Sequence, residues 1–599
     1  MKKPAEPQEF YSRLRNENED RVAKLSQTMS RLTLIRLVSF ILIFVLFFTL
    51  RSSHLALAIV SAILFLIIFL FCIGWYQRTK KSRDYHQAIV DICNLEQGAI
   101  KHDFSKFSNG EDFIDYKHRY SYDLDVFGTK SLFQYLNRTC LHLGSIKLAA
   151  KLKDIETDKE RIKRLQESIK ELSHKNEFCI NFRANGSLIS EVQEEYEKLN
   201  RWLEAPSPLK NRKIFKALSF VLPAITIGSA LGAAFITAFQ GFAVLFFLLN
   251  LFLVSLSLKK INTYNASLSP VIKLLTKYHK LLSIIEKEDW GSKYNKKIHD
   301  ELLTRRHYAS ASIAQLNKYV NGFDQRMNVF VAIFLEGFLL WDFHFIEKIE
   351  HWKEVYGQHF TDWMDALAEY DALISLATCA YNNNDFIYPE LSADSVFTAR
   401  NLGHPLIPGT DRVANDFSLA KKGDFAIVTG ANMSGKSTFL RTVAINQILA
   451  ATGMPVCATE FTCSPMSLYT SMRTSDSLAK NESYFYAELV RLKELLELLQ
   501  TDNNVFIILD EILKGTNSHD KQKGSKMVLE KIIEMHGTGI IATHDLELTR
   551  IEDDYPEKIS NHCFEIDIDE AEISFDYKLH QGVTQKMNAI LLMKQMGII

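Results

Sequence analysis

The 599-residue sequence has no Cys-x-x-Cys pair and no cysteine at metal-ligand spacing from a histidine. Its eight cysteines (72, 93, 140, 179, 379, 457, 463 and 563) are scattered. That excludes a zinc ribbon and a disulfide framework, and it suits a reducing compartment in which the thiols fill core space. Net charge is missing too. Seventy Lys and Arg against 71 Asp and Glu leave −1, so no global field points to a partner. Residues 1–31 are polar and charged, too long and too acidic to be the n-region of a signal peptide. The length allows several domains, each with its own core.

What the sequence does have is apolar runs in pairs. Leu37–Leu50 and Leu55–Tyr76 are separated only by Arg51-Ser-Ser-His54. The second run has 22 residues and no charge, enough to span a bilayer. The first has 14 and becomes long enough if Leu32–Ile35 joins it and Arg36 snorkels. A buried hairpin in a soluble core is the competing reading. A second pair follows at Ala217–Phe239 and Gly241–Leu258, joined by almost nothing. Arg31, Arg36, Arg78, Lys80, Lys81 and Arg83 flank the first pair; Lys210, Arg212, Lys213, Lys216, Lys259 and Lys260 flank the second. This places both short connections outside and everything sizeable in the cytoplasm, as a multi-pass protein of the inner or plasma membrane. Gly228-Ser-Ala-Leu-Gly232 has the spacing that lets membrane helices approach closely. Val329–Leu340 is shorter and carries Glu336, so it reads as a core helix instead of a span.

Between the pairs, Asp154–Leu172 and Ser190–Leu203 are charged, with apolar residues at helical spacing, and predict long solvent-facing helices. Ala205-Pro-Ser-Pro208 ends the second. Ser267–Val320 reads as helical and basic, and Lys259 to Arg326 holds 13 Lys/Arg against 6 Asp/Glu. Either this is a solvated face beside anionic headgroups or it is a nucleic-acid footprint.

Gly430-Ala431-Asn432-Met433-Ser434-Gly435-Lys436-Ser437 fits the phosphate-cradling pattern G-x-x-x-x-G-K-[ST] in full. Asp424–Thr429 reads as a buried strand entering the loop, and Thr438–Ala450 as the helix leaving it. In this context the loop predicts ATP binding, with Lys436 on the β- and γ-phosphates and Ser437 on Mg²⁺; a chance match in an ordinary strand-turn-helix is the alternative. Asn504–Asp510 is an apolar strand ending in Asp510-Glu511. Asp510 is placed to hold Mg²⁺ through water, and Glu511 to orient or deprotonate the attacking water. Gly539–His544 is a further short strand that delivers His544, either a γ-phosphate sensor or a surface histidine.

Thr429–Thr442, Asp510-Glu-Ile-Leu-Lys-Gly-Thr516-Asn-Ser518 and Ala542-Thr-His544 resemble the ATPase domain of the MutS mismatch-repair family. The Asn-Met inside the loop and the Lys-Gly-Thr after the carboxylates set that family apart from most phosphate-loop ATPases. Upstream, Asn401-Leu-Gly-His-Pro405 and Asn415 resemble its entry into the nucleotide domain. Asp123–Gly128, Ser131-Leu-Phe, Leu136-Asn-Arg-Thr139 and Gly144 resemble the start of its helical core. The resemblance implies a homodimer with composite sites, in which Ser483 of Asn481–Glu488 would reach the nucleotide of the other subunit; an N-cap on the following helix is its plainer role. It also implies binding of double-stranded DNA.

Departures from the family pattern reshape that expectation. Residues 1–120 hold apolar runs and no Phe-x-Glu wedge where the mismatch reader would be. The sequence stops at Ile599, which predicts neither a long dimerisation arm nor a nuclease domain. The expected fold is mixed: membrane α-helices, a helical lever or core domain, and an α/β P-loop ATPase domain of ABC type. The expected boundaries are a cytoplasmic segment 1–31, hairpin 32–76, helical core 77–216, hairpin 217–258, core and lever 259–400, and ATPase domain 401–599. The expected function is an Mg²⁺-dependent ATP hydrolase acting as a membrane-anchored clamp, which binds DNA without reading mismatches. The alternative is a membrane-remodelling or signalling ATPase that acts on a protein or lipid.

Overall fold

The computed structural model describes residues 6–584 apart from 190, 192, 209–211, 269–270, 305–306, 393–396, 474–483, 503 and 570–571. With no helix breaker between Pro7 and Leu50, the first apolar run is only the end of one 44-residue helix, Pro7–Leu50. Pro7 sits in its first turn, where a missing N–H costs nothing. A turn at Arg51–Ser53 reverses the chain into a 46-residue helix, Leu55–Ile100. At 1.5 Å per residue each is about 65–70 Å long, roughly twice a bilayer core, so both project well beyond their apolar halves. Within those halves Leu37, Phe48, Val60 and Phe71 are exposed.

The second pair departs from expectation. Its first helix, Arg212–Gly232, stops at Gly232 and the chain turns over Ala233–Thr237 before Ala238–Leu268 begins. Among the described residues three helices are long and apolar enough to cross a membrane: Pro7–Leu50, Leu55–Ile100 and Ala238–Leu268. The apolar part of the expected fourth, Lys216–Gly232, is shorter. Val329–Leu339 is not a core helix. It packs against Ala238–Leu268, where Asn250 Nδ2 donates to Gly337 O at 2.8 Å, while Phe330 and Phe334 are 79% and 63% exposed. Glu336 misleads as a polarity marker because it is buried and accepts from the Asp342 N–H at 3.2 Å, beside the Arg326–Asp342 ion pair at 3.0 Å. The chain then bends by 81° at Leu340 into the 42-residue helix Trp341–Asn382.

That long helix is the spine of the helical core, with Trp352, Trp363 and Tyr370 buried along it. Lys159–His174 and His142–Lys153 pack on it. The expected helix from Asp154 starts later, because Asp158 caps it by accepting from the Glu160 N–H at 2.8 Å. In the C-terminal half of helix Trp341–Asn382, Asp371 accepts from the Cys140 and Leu141 N–H groups at 3.1 and 2.9 Å. A side chain at Gly144 would collide with that carboxylate. At the foot of the first hairpin, Glu96 is fully buried and accepts from Arg138 at 3.0 Å, Arg183 at 2.6 Å and Asn382 at 2.7 Å. The predicted helical stretch 267–320 is broken into Ile272–Glu286, Lys293–Glu301 and Ala309–Phe323, with the short strands Leu303–Thr304 and His307–Tyr308 paired antiparallel between the last two.

After residue 400 the pattern becomes α/β. A six-stranded sheet runs in the order 579–581, 559–564, 425–430, 538–543, 505–510 and 467–471; all neighbouring strands are parallel except the antiparallel edge strand 579–581. Ala426, Val428, Phe506, Ile508, Ile540 and Ala542 face one core with helix Lys436–Ala451. Phe425, Ile427, Ile507, Leu509 and Ile541 face the other, with Leu495, Leu529 and Ile532. Burial on both faces explains the continuous apolar runs. Gly539 lacks a side chain because a Cβ there would strike the Ile507 carbonyl. Asn401–Leu402, in strand Phe397–Leu402, and Asn415 belong to a separate four-stranded sheet beside it.

Candidate nucleotide site

Parallel strands deliver their C-terminal ends to one edge of a sheet, which is where an α/β fold places ligands. Here strand Phe425–Gly430 ends in the glycine-rich loop, Val505–Asp510 in Asp510-Glu511, and Thr538–Thr543 in His544. The loop turns through left-handed backbone at Gly435 (φ +104°) and Met433 (φ +68°) before the helix starts at Lys436. In a loop of this kind the amides and the helix N-terminus offer their N–H groups to an anion.

Asn432, Met433, Ser434, Gly435, Lys436, Ser437, Thr438, Asp510, Glu511 and His544 all line one cavity of about 530 Å³. Gly430 and Ala431, also expected at the nucleotide, are not part of its lining; their carbonyls accept from Lys436 Nζ at 2.8 and 2.7 Å. Burial pushes the Lys436 ammonium down to about 8, against the pull of Asp510 and Glu511. The buried Ser434 hydroxyl has no partner among the described residues. Ser437 Oγ donates to Asp510 Oδ2 at 2.6 Å. These two adjacent oxygens fit Mg²⁺, which takes one or two protein oxygens and keeps its other positions for water and phosphate. No cluster of three or more His, Cys, Asp or Glu side chains at metal-holding distance occurs among the described residues. Ser483 lies outside them.

Glu511 occupies left-handed backbone (φ +56°), and its N–H donates to Ala542 O at 2.9 Å, which pins the residue to the neighbouring strand. Burial would raise its carboxyl pKa, but the Lys521 ammonium at 2.8 Å outweighs this and holds it below the ordinary carboxylate range. Burial, then the nearby Lys436, keep the His544 imidazole below its usual pKa and so neutral. A neutral imidazole can accept or donate one hydrogen bond without adding charge.

Several contributors escaped sequence reasoning. Ile407, Val413 and Tyr577 give the same cavity an apolar slot, with Tyr577 against Gly435 of the loop. Asn415 Nδ2 holds the Tyr577 carbonyl at 3.0 Å. Glu488 is buried and accepts from the Leu513 and Lys514 N–H groups at 2.6 and 3.0 Å, tying helix Tyr484–Thr501 to the turn after the carboxylates. Lys521 lies one turn past Asn517, which caps helix Ser518–Glu534. A cation at that spacing from a strand-end carboxylate was the available signal. The basic region 259–326 is not one surface. Lys277 is buried and donates to Cys140 O and Ile189 O at 2.8 and 3.1 Å, and Arg326 is committed to Asp342.

Residues 426–598 match the family model described as MutS domain V. The DNA mismatch repair protein MutS of Finegoldia magna is 32% identical over 244 residues, 39% of this chain and 28% of that protein. The protein of the same name from Syntrophomonas wolfei is 34% identical over 198 residues, 32% of this chain and 23% of its own length. That of Methanosarcina barkeri is 28% identical over 265 residues, 43% and 29% respectively. The chain thus spans less than a third of the length of these relatives. Residues 426–598 thus carry the likeness to MutS domain V, and the likeness shown by these comparisons is that of the nucleotide domain.

Proposed function

We propose that the chain is an Mg²⁺-dependent ATP hydrolase whose P-loop domain drives a membrane-anchored helical clamp. The observation that carries this reading is the convergence of Lys436, Ser437, Asp510, Glu511 and His544 on one cavity. The triphosphate would lie along the loop amides with the base in the slot of Ile407, Val413 and Tyr577. Lys436 would exchange its two carbonyl contacts for phosphate oxygens. Ser437 and Asp510 would hold Mg²⁺, which when bound neutralises charge on the β- and γ-phosphates. Glu511 would accept a proton from the attacking water as its oxygen bonds the γ-phosphorus and the bond to the β-phosphate oxygen breaks, leaving ADP and phosphate. His544 would orient the γ-phosphate as a neutral donor.

The clamp would be a homodimer around two such sites, each completed by Ser483 of the other subunit. The apolar surfaces of Pro7–Leu50, Leu55–Ile100, Arg212–Gly232, Ala238–Leu268 and Val329–Leu339 support insertion in the inner or plasma membrane, with the α/β domain in the cytoplasm. Double-stranded DNA, bound without mismatch reading, is the ligand that the family suggests. The internal commitments of Lys277 and Arg326 weaken a DNA footprint at 259–326 and favour the second reading, an ATPase that moves spans or a protein or lipid partner. Duplex DNA added to the purified chain separates them. Stimulation of ATP turnover that disappears between about 50 and 200 mM salt supports the DNA clamp; no response at any salt supports the second reading.

A further inference from the structure

A second pocket lies at the point where the apolar surface of helix Ala238–Leu268 ends. Leu248, Phe252 and Leu256 are 56%, 59% and 68% exposed along that helix, and the stripe stops at Leu258. Lys259 and Lys260 follow at once and are exposed. Helix Gln193–Glu204 packs against this base and brings Lys198 and Arg201 to the same opening. The cavity between them, about 560 Å³, has Trp202 and Tyr264 in its wall and Pro206 and Pro208 at its rim.

The wall is ordered from behind. Lys353 donates to Trp202 O at 2.7 Å and to Ala205 O, and its ammonium lies 5.3 Å from the centre of the Trp202 ring. Tyr264 OH donates to the buried Glu350 at 2.6 Å, so that carboxylate already has a partner. Trp202 is 2% exposed, yet its indole N–H has no hydrogen-bond partner among the described residues. A buried N–H left unpaired carries an uncompensated desolvation cost, which a ligand oxygen reaching it through the pocket would recover.

We propose that this pocket binds one anionic phospholipid, its phosphate held by Arg201, Lys259 and Lys260 and its glycerol backbone against Trp202. The chemistry it selects is a phosphate ester joined to an apolar body, which is what a basic opening over an aromatic and proline wall recognises. A soluble phosphate ester shares the charged half only. The pocket's place at the end of an exposed apolar stripe argues for the lipid. This inference rests on the membrane reading above, and it gives the second hairpin a fixed depth and a dependence on leaflet charge.

The test uses the full chain, purified in neutral detergent and stripped of lipid. Native mass spectrometry is run with phosphatidylglycerol, with phosphatidylcholine of the same acyl chains, and with glycerol phosphate as competitor. One phosphatidylglycerol per chain should bind saturably, phosphatidylcholine should bind at least tenfold more weakly, and millimolar glycerol phosphate should not displace the lipid. The combined change Arg201→Gln, Lys259→Gln, Lys260→Gln should weaken phosphatidylglycerol binding by at least about tenfold, since all three cations that attract the anionic headgroup are lost together. Trp202→Phe, which keeps the ring and removes the N–H, should weaken it several-fold. Equal binding of the two lipids, or undiminished binding by the folded triple variant, overturns the proposal; full displacement by glycerol phosphate reassigns the pocket to a soluble ester and overturns it as well. Carbonate extraction of cell membranes keeps the two readings apart. A chain released by carbonate defeats the membrane reading itself, whereas a retained chain without lipid selectivity defeats only this site.

Discussion

Arg441 and Asp125 form an ion pair at 2.8 Å that joins the helix leaving the glycine-rich loop to the segment opening the helical core. Asp125 also takes both terminal nitrogens of Arg473, at 2.5 and 2.8 Å, and Asp123 accepts from Thr470 Oγ1 and the Met472 N–H at 2.7 and 3.0 Å. These contacts tie the loop helix and the strand end before Arg473 to the first residues of the core. The Asp125 pairs are partly exposed, so they add little to stability, about 1 kcal/mol or less each. Asp125→Asn should leave the melting temperature within a few degrees of wild type. It should abolish the ATP-induced change in hydrogen exchange along Trp341–Asn382, and an unchanged exchange response would place the coupling elsewhere.

Glu96 should behave oppositely. It is fully buried among Arg138, Arg183 and Asn382, so Glu96→Gln strands two buried guanidinium groups and should cost about 3–5 kcal/mol. Burial raises its pKa, but the two arginines outweigh this and hold it below the ordinary carboxylate value. The stabilisation is thus complete above the unfolded carboxylate pKa, near 4.3, and is lost as pH falls through the lower folded value. Melting curves should show a large gap between variant and wild type at pH 7 that narrows only in strong acid. A gap already closed at pH 5 would contradict this.

Lys521 sets the charge state of Glu511 through the 2.8 Å contact between them. Lys521→Met removes the influence that holds the Glu511 pKa down, so the carboxyl protonates at higher pH. The acidic limb of the kcat profile should move to higher pH while ATP affinity changes little. A limb that stays in place would show that the pair separates before turnover.

Topology is tested by labelling. Cysteines at Ser52 and Phe235, both at the tips of apolar hairpins, should react with an impermeant thiol reagent outside intact cells; cysteines at Lys293 and Ser574 should not. Labelling of the second pair would reverse the orientation.

How much was legible follows from where the determining interactions lie. The loop and its three strands could be read because short-range pattern fixes them: apolar runs buried on both faces, ending in Gly430, Asp510 and Thr543. The long reach of Pro7–Leu50 could not, because its polar first half looks like a solvated segment until the partner helix Leu55–Ile100 lies beside it. Val329–Leu339 was misread on the evidence of Glu336, whose charge is turned inward to the Asp342–Arg326 cluster while the apolar face stays outside. Tyr577 and Lys521 entered the site from remote positions through contacts with Asn415 and Glu511 that no local pattern announces.

The central claim, hydrolysis of ATP by residues of one cavity, is tested most directly by measuring ATP binding and single-turnover cleavage in parallel on Lys436→Ala and Glu511→Gln. Lys436→Ala should lose binding, since its ammonium is the cation at the back of the loop. Glu511→Gln should bind ATP with near wild-type affinity and cleave it on the order of 10²–10³-fold more slowly, because only that carboxylate acts on water. Equal loss of ATP affinity in both variants, or cleavage at the wild-type rate by Glu511→Gln, would contradict the account.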